Sequence, residues 1–169
     1  MNLLDFIPRY IFKWLQNDNW LGNWLGSTPL VFPAFATVHT YGIAVLLGSL
    51  LIVDLRLLGF GMRRISAAQL AGYLNPWTHS AMAVMGITGI PMFISEAVKA
   101  SAIDVVFYKM VLLVSALTFH FTLRRKAIAS GASEGSGSVK LAAYLSLTLW
   151  WGVALAGRAI GFLYVLDPQ

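Results

Sequence analysis

The sequence predicts an all-α integral membrane protein, a four-helix transmembrane bundle with an interfacial amphipathic helix at its N-terminus. Of the 169 residues, 58% are hydrophobic and only 11% are charged, a balance outside the range of ordinary soluble domains. Four apolar runs are long enough, at about 1.5 Å per residue, to cross a hydrocarbon layer of about 30 Å. The basic residues lie around the ends of these runs and form no single patch, so membrane lipid is an expected partner and nucleic acid is not.

Residues 1–29 are predicted to lie on the membrane surface. Apolar side chains share one helical face, which carries Leu4, Ile7, Ile11 and Leu15. A polar ridge runs along the helix at intervals of four residues and carries Asp5, Arg9 and Lys13. A tandem NWLG motif over residues 19–26 then places Trp20 and Trp24 four residues apart, which is typical of an interfacial belt on a second short helix.

The transmembrane domain is predicted to cover residues 30–163, with helices at about 30–58, 75–98, 105–126 and 140–163. Pro33 lies near the start of the first helix, where a missing N–H costs least, and Pro91 is expected to kink the second. Residues 130–138 read SGASEGSGS and have no apolar side chains to fold on. They are therefore predicted to form a flexible loop.

Loop charges predict the orientation of the bundle. The loop after the first helix carries Arg63 and Arg64, and the loop after the third begins with Arg124, Arg125 and Lys126. Positively charged loops face the cytoplasm in multi-pass proteins. Both termini are therefore expected on the opposite, periplasmic side.

Two histidines are predicted to lie level with each other near the cytoplasmic ends of their helices. His79 is four residues inside the second predicted helix, and His120 is four residues before the basic cluster of the third. Each would lie about 6 Å from the boundary of the membrane. Ionisable side chains at such depth indicate a functional site. Small residues lie beside these histidines at helical spacing, namely Ala83, Gly86 and Ala116. They either leave a slot for a flat ligand or only permit close packing of the helices.

A second polar layer is predicted nearer the periplasmic side. It contains His39 and, at comparable depth on the other three helices, Met92, Lys109 and Arg158. Histidine and methionine are axial ligands of haem iron, and buried basic side chains pair with carboxylates such as propionates. The candidate cofactor-binding residues are therefore His39, His79, His120, Lys109 and Arg158. The candidate metal ligands are His39, His79, His120 and Met92.

Hydrolytic and transferase chemistry is not indicated. Asp54, Glu96 and Asp104 lie at predicted helix ends, where acids are expected to face interfacial water, and no pattern pairs them for acid–base work. The sequence has no glycine loop for phosphate and no cysteine, which excludes disulfides, iron–sulfur clusters and thiolate metal sites. No catalytic residue is predicted.

Four stretches carry a resemblance to a known family: HTYGIAVLLGSLLIVDLRLLG, PWTHSAMAVMGITGIPMFISEA, FYKMVLLVSALTFH and LWWGVALAGRAIGF. From about Pro33 onward, the chain resembles a family of uncharacterised bacterial inner-membrane proteins with four helices. The resemblance implies a multi-pass protein of the bacterial inner membrane. It matches family histidines to His39 and His120, whereas at the position of His79 that family more often has tryptophan. The architecture is also similar, more loosely, to four-helix membrane b-type cytochromes, which hold haem between helices of a bundle.

The leading interpretation is a haem-b-binding membrane protein, with one or two haems per protomer, that transfers electrons or handles haem. Any enzymatic role would be that of an electron-transfer membrane cytochrome, with a quinone or a redox protein as partner. One alternative is a transporter for a metal or small solute, whose soft ligands would be His39, Met82, Met85 and Met92. Another is a structural protein without a cofactor. Whichever interpretation holds, the close-approach surface at Gly157 and Gly161 predicts a homo-oligomer.

Overall fold

Helices account for nearly all of the described chain. The computed structural model describes residues 9–18, 20–61, 64–102, 104–129 and 136–166, and within these ranges it contains no β-strand. The predicted all-α class is confirmed. The start of the predicted amphipathic segment, residues 1–8, and most of the predicted loop at 130–138 lie outside the described residues.

Two short helices, α1 (Arg9–Asn17) and α2 (Trp20–Ser27), precede the long ones. α1 buries Phe12 and α2 buries Leu25, while the three tryptophans of this region, Trp14, Trp20 and Trp24, stay exposed. The Gln16 side chain accepts a hydrogen bond of 2.8 Å from the backbone N–H of Val98. This bond ties α1 to the segment that follows the second long helix.

Four long helices follow. Their bounds are α3, Val31–Leu57; α4, Ala67–Ser95; α6, Asp104–Phe119; and α8, Gly137–Leu166, with the short α5, Ala97–Ser101, between α4 and α6. A π-helical turn, His120–Arg124, and the short α7, Arg125–Ala129, continue α6. Among the described residues, three stretches are long and apolar enough to cross a membrane: Val31–Leu57, Asp104–Ile128 and Gly137–Leu163. α4 is equally long, at 29 residues, and contains no Asp, Glu, Lys or Arg.

α4 begins eight residues before the predicted start of its helix. Ser66 caps it: the Ser66 hydroxyl accepts from the backbone N–H of Gln69, and the Gln69 side chain accepts from the backbone N–H of Ser66. This capping box supplies a strong start signal. Pro76 lies within the helix. A membrane helix tolerates proline where packing against its neighbours supports it.

The long helices run alternately up and down. α3 packs along both α4 and α8, and α6 packs along α8, whereas α4 and α6 make few direct contacts. The order around the bundle is therefore α4, α3, α8, α6, with a gap between its first and last members. One end of the bundle contains the end of α3, the start of α4, the end of α6 and the start of α8. We call it the basic end, because four basic residues lie there: Arg64, Arg125, Lys126 and Lys140.

Two buried apolar clusters hold the helices together. One lies at the basic end, where Val53 and Leu57 of α3 pack against Leu70 of α4 and Ala143 of α8. The other lies deeper in the bundle and contains Leu46, Leu50, Ala81, Ala116, Trp150 and Val153. All four long helices contribute to it, so this second cluster sets the positions of the side chains around the gap.

The expectation that Asp54 faces interfacial water is wrong. Its side chain is fully buried, and the Arg124 Nε donates to its Oδ1 at 3.0 Å. Arg124 is correspondingly 2% exposed, although the sequence placed it in a loop. The π-helical turn keeps Arg124 on the inner side of the bundle, and a carboxylate is buried in a protein interior when a cation accompanies it.

Candidate ligand cleft between two helices

The gap between α4 and α6 forms a cleft of about 300 Å³. Its walls come from α4 and α6, and its floor comes from α3 and α8. Apart from the indole of Trp150, the polar side chains among its lining residues are His39 and Lys109. The remaining lining is apolar: Leu46, Met82, Met85, Gly86, Gly89, Ile90, Phe93, Met110, Leu113, Leu117 and Val153. A mostly apolar site with a few convergent polar groups is typical of small-molecule binding.

Glycines on α4 shape the wall of the cleft. A Cβ atom at Gly86 would meet nothing within 4 Å, so this position opens directly onto free space. A Cβ atom at Gly89 would lie 3.1 Å from Cε1 of His39. Gly89 therefore lets the imidazole of His39 lie close to the backbone of α4, and a side chain at this position would push the ring away.

The hydrogen bond of His39 determines which ring nitrogen is available. Its Nδ1 lies 2.8 Å from the Thr88 hydroxyl oxygen. The Thr88 hydroxyl donates its own proton to the backbone carbonyl of Val84 at 2.7 Å. Since that hydroxyl has one proton, it accepts from His39, and Nδ1 is the donor. A neutral imidazole bound in this way keeps its lone pair on Nε2, which has no hydrogen-bond partner among the residues described.

Lys109 adds a cation to the same end of the cleft. Its Nζ lies 3.5 Å from the position that a Cβ atom would take at Gly157 of α8, so the side chain reaches across to the neighbouring helix. Within the described ranges no carboxylate pairs with it. A lysine in an apolar cleft without a protein partner is suited to hold the acidic or carbonyl oxygens of a bound molecule.

Aromatic rings connect α4 to the π-helical turn near the basic end. The ring centroids of His79 and His120 are 6.0 Å apart with nearly perpendicular planes, and Phe121 stacks on His79 at 5.9 Å. The structure thus brings together the two histidines that the sequence predicts to be level. Their edge-to-face arrangement is a direct aromatic contact. His79 and Phe121 are exposed on the outer side, whereas His120 is 5% exposed.

A π-helical turn carries the buried His120 and Arg124. Such turns are rare and frequently occur at functional sites, because the inserted residue redirects the side chains that follow it. Here one turn presents an imidazole and a guanidinium to the same interior region. Trp150 of α8 lies against His120, with ring centroids 6.2 Å apart, and Trp150 also lines the cleft.

The other predicted residues lie elsewhere. Met92 is on α4, but it does not line the cleft, whereas Met82 and Met85 do. Arg158 does not line the cleft: its side chain is exposed on α8, with Cζ 5.1 Å from the centroid of the Phe162 ring. A cation–π contact along the same helix face satisfies the guanidinium without burial.

Sequence reasoning missed Thr88, Ser146 and Trp150. Thr88 is nine residues after His79 on α4, and its spacing gave no sign that it would face His39 on another helix. Ser146 and Trp150 are one turn apart on α8, so their shared face was readable from the sequence. The position of Asp54 in the sequence was the informative signal for this region. An acid four residues inside a predicted membrane helix requires a partner within the bundle.

The fold and the cleft define a small multi-helix membrane protein with a ligand-sized apolar opening between two of its helices. The chain belongs to DUF6644, a family of unknown function, whose sequence profile matches residues 11–163. Neither the curated proteins nor the solved structures contain a significant match to the chain.

Proposed function

We propose that this protein binds haem b in the cleft between α4 and α6 and serves in electron transfer or haem handling in the bacterial inner membrane. The observation that carries the proposal is the state of His39. Its Nδ1–H is held by Thr88, and its Nε2 is left as the free nitrogen of a residue that lines the cleft. Histidines that bind a metal through one nitrogen almost always donate the other N–H to a fixed acceptor.

The rest of the cleft is compatible with haem. The apolar lining favours a macrocycle over water, and the open space beside Gly86 allows a flat ring to approach the backbone of α4. Lys109, at the same end as His39, is available to a propionate. The volume of about 300 Å³ is at the lower limit for small-molecule sites, and the gap between α4 and α6 leaves room for a ring edge to extend toward lipid.

When bound, haem supplies the redox chemistry. The protein side chains hold and insulate it. His39 would hold it through Nε2, the methionines Met82, Met85 and Met110 would provide polarizable surface, and Lys109 would provide positive charge. His79 and His120, at the basic end, are a second pair of side chains that could hold a haem. A quinone or a redox protein is the proposed electron partner.

The proposal includes a membrane arrangement. We place α4 across the membrane as a fourth span, because it is as long as the three candidate spans and carries no charged side chain. The mean hydropathy of α4 is lowered by its prolines and by polar side chains that face α3. These residues carry no charge, so α4 exposes no charge to lipid. The basic end faces the cytoplasm, both termini face the periplasm, and α1 and α2 lie at the outer surface with their tryptophans toward lipid.

The absorption spectrum of the full chain tests the proposal. The protein is purified in a mild detergent from cells supplied with a haem precursor, and its spectrum is recorded before and after reduction with dithionite. A Soret band that shifts on reduction, with haem extractable as protohaem, is the expected result. A colourless sample that contains a metal would favour the transporter, a colourless metal-free sample that takes up no added haem would favour a structural role, and either result would overturn the haem proposal.

A further inference from the structure

The cleft between α4 and α6 has a closed floor and an open side. At the floor, Leu46, Trp150 and Val153 are at most 4% exposed. On the opposite side, Ile90 of α4 and Met110 of α6 also line the cleft, and they are 64% and 39% exposed. Side chains that both line a cavity and are exposed mark its opening. The cleft therefore opens on the outer surface of the bundle, through a window between Ile90 and Met110.

The gap between α4 and α6 is bridged on both sides of this window. At the end opposite the basic end, α5 is the short connection between the two helices, and α1 packs on α5. Ala97 and Ala100 of α5 and Val106 of α6 are at most 3% exposed, so this end is closely packed. Toward the basic end, the rings of His79 on α4 and Phe121 on the π-helical turn stack at 5.9 Å across the gap. The cleft is thus open at its side and covered along the helix axis in both directions.

The window lies at a depth where hydrocarbon surrounds a membrane protein. Met110 is six residues from the start of α6 at Asp104, and Ile90 is five residues from the end of α4 at Ser95. At about 1.5 Å per residue, both positions lie about 8 to 9 Å from the ends of their helices, inside an apolar layer about 30 Å thick. In the proposed membrane arrangement, the window faces the acyl chains of the outer leaflet.

The polar groups of the cleft lie behind the apolar rim of the window. Lys109 extends toward α8, with its Nζ 3.5 Å from the Cβ position at Gly157. His39 lies close to Gly89 and is held by its hydrogen bond to Thr88. A molecule that enters through the window therefore needs a body that dissolves in hydrocarbon and an acidic group that can pair with Lys109. Acidic amphiphiles dissolved in the bilayer have both.

We infer that the cleft is loaded sideways from the lipid, and that its ligand is an acidic amphiphile that enters through the window between Ile90 and Met110. The inference rests on the proposed function in its membrane arrangement. Haem b, an apolar ring with two carboxylates, is one such amphiphile. The window selects against ions and polar solutes, because the free energy cost of transferring them from water into hydrocarbon is large.

Photolabelling from the lipid tests the inference without haem. The full chain is reconstituted in vesicles that contain palmitic acid with a diazirine on its acyl chain, and after illumination the labelled residues are mapped by mass spectrometry. We expect label at Leu46 and none at Leu50, because both are 2% exposed on α3 but only Leu46 lines the cleft. Absence of label at Leu46, together with label at the exposed Leu155, would mean that amphiphiles in the lipid do not reach the floor of the cleft and would overturn the inference.

Added bulk at the window should stop this labelling. Ile90→Trp narrows the window and should reduce the label at Leu46 at least tenfold. Ile87→Trp is the matched control, because Ile87 is 70% exposed on the same helix but does not line the cleft, and it should leave the label at Leu46 unchanged. Equal labelling of Leu46 in the two variants would mean that the amphiphile enters by another route, and the window would be refuted.

Haem uptake separates this inference from the haem proposal. Transfer of haem from haem-loaded vesicles to the reconstituted protein is followed by its Soret band, and Ile90→Trp should slow the transfer at least tenfold relative to Ile87→Trp. Label at Leu46 without haem uptake by the wild type would refute the haem proposal and support the window. Haem uptake without label at Leu46 would support the haem proposal and refute the window.

Discussion

Arg124 and Asp54, which are 70 residues apart in the chain, form an ion pair with a 2.9 Å contact in the interior of the helical bundle. The pair joins the end of α3 to the π-helical turn that ends the α6 span. Both residues are almost fully buried, at 2% exposure for Arg124 and 0% for Asp54. The pair thereby ties the π-helical turn to α3.

Removing one partner of this pair should destabilise the protein strongly. Arg124→Met leaves the Asp54 carboxylate buried without a cation, and loss of one partner of a buried pair typically costs about 3–5 kcal/mol of unfolding free energy. The measurement is thermal or denaturant unfolding of the detergent-solubilised protein, followed by circular dichroism. Arg125→Met is the matched control, because its side chain is exposed one residue further along, and it should change the stability little. Equal stability of the two variants would contradict a structural role for the pair.

The ligand proposal predicts which histidine matters most for haem. His39→Ala should abolish or weaken the Soret band, since the axial bond to the cleft-facing nitrogen is lost. His79→Ala removes the same side chain from an exposed position outside the cleft lining and should keep the band. Spectra of the two purified variants at equal protein concentration make the comparison. If His79→Ala and His120→Ala both lose the low-spin spectrum while His39→Ala retains it, the haem lies at the basic end instead.

Filling the cleft should block binding without unfolding the protein. Gly86→Leu projects a side chain into free space on the cleft wall, so it should fold normally and bind haem at least tenfold more weakly. Gly72→Leu is the control, since Gly72 is also on α4, also has free space beside it, and does not line the cleft. Haem titration followed by absorbance measures both affinities. Unchanged binding by Gly86→Leu would exclude this cleft as the haem site.

The proposed orientation predicts the location of the segment between α7 and α8. A reporter inserted within residues 130–135 should read cytoplasmic, because basic side chains flank this segment on both sides. Alkaline phosphatase, active only in the periplasm, and green fluorescent protein, fluorescent only in the cytoplasm, provide opposite readouts at the same insertion point. A periplasmic reading would invert the bundle and place His79 and His120 on the outer side.

Self-association through α8 remains a prediction. In the structure, Gly157 and Gly161 have different surroundings. Gly157 faces Lys109 of the same chain, whereas a side chain at Gly161 would meet nothing within 4 Å. Gly161→Leu should therefore reduce the oligomer mass seen by native mass spectrometry in a lipid-like detergent. Gly157→Leu should instead disturb the position of Lys109. A wild-type protein that is monomeric under these conditions would remove the basis for the homo-oligomer.

The depth of side chains along each helix could be read from the chain. The equal spacing of His79 and His120 from their predicted helix boundaries implied a shared level, and their rings are in contact in the structure. Rise per residue is nearly constant in a helix, so distance along the axis follows from counting. The start of α4 was predicted too late, because the capping signal of Ser66 and Gln69 was not used.

By itself, the sequence determined that the protein is all-helical and membrane-embedded, since hydrophobic content and run length follow from composition alone. It also determined the axial positions of the histidines. Only the tertiary structure decided that Asp54 pairs with Arg124, that Thr88 orients His39, and that the gap lies between α4 and α6. The physical reason is that the sequence does not determine how each helix is rotated about its own axis. Hydrophobicity is nearly uniform around each membrane helix, so no amphipathic stripe marks the inner face. The face that contacts each neighbour therefore depends on packing among all four helices.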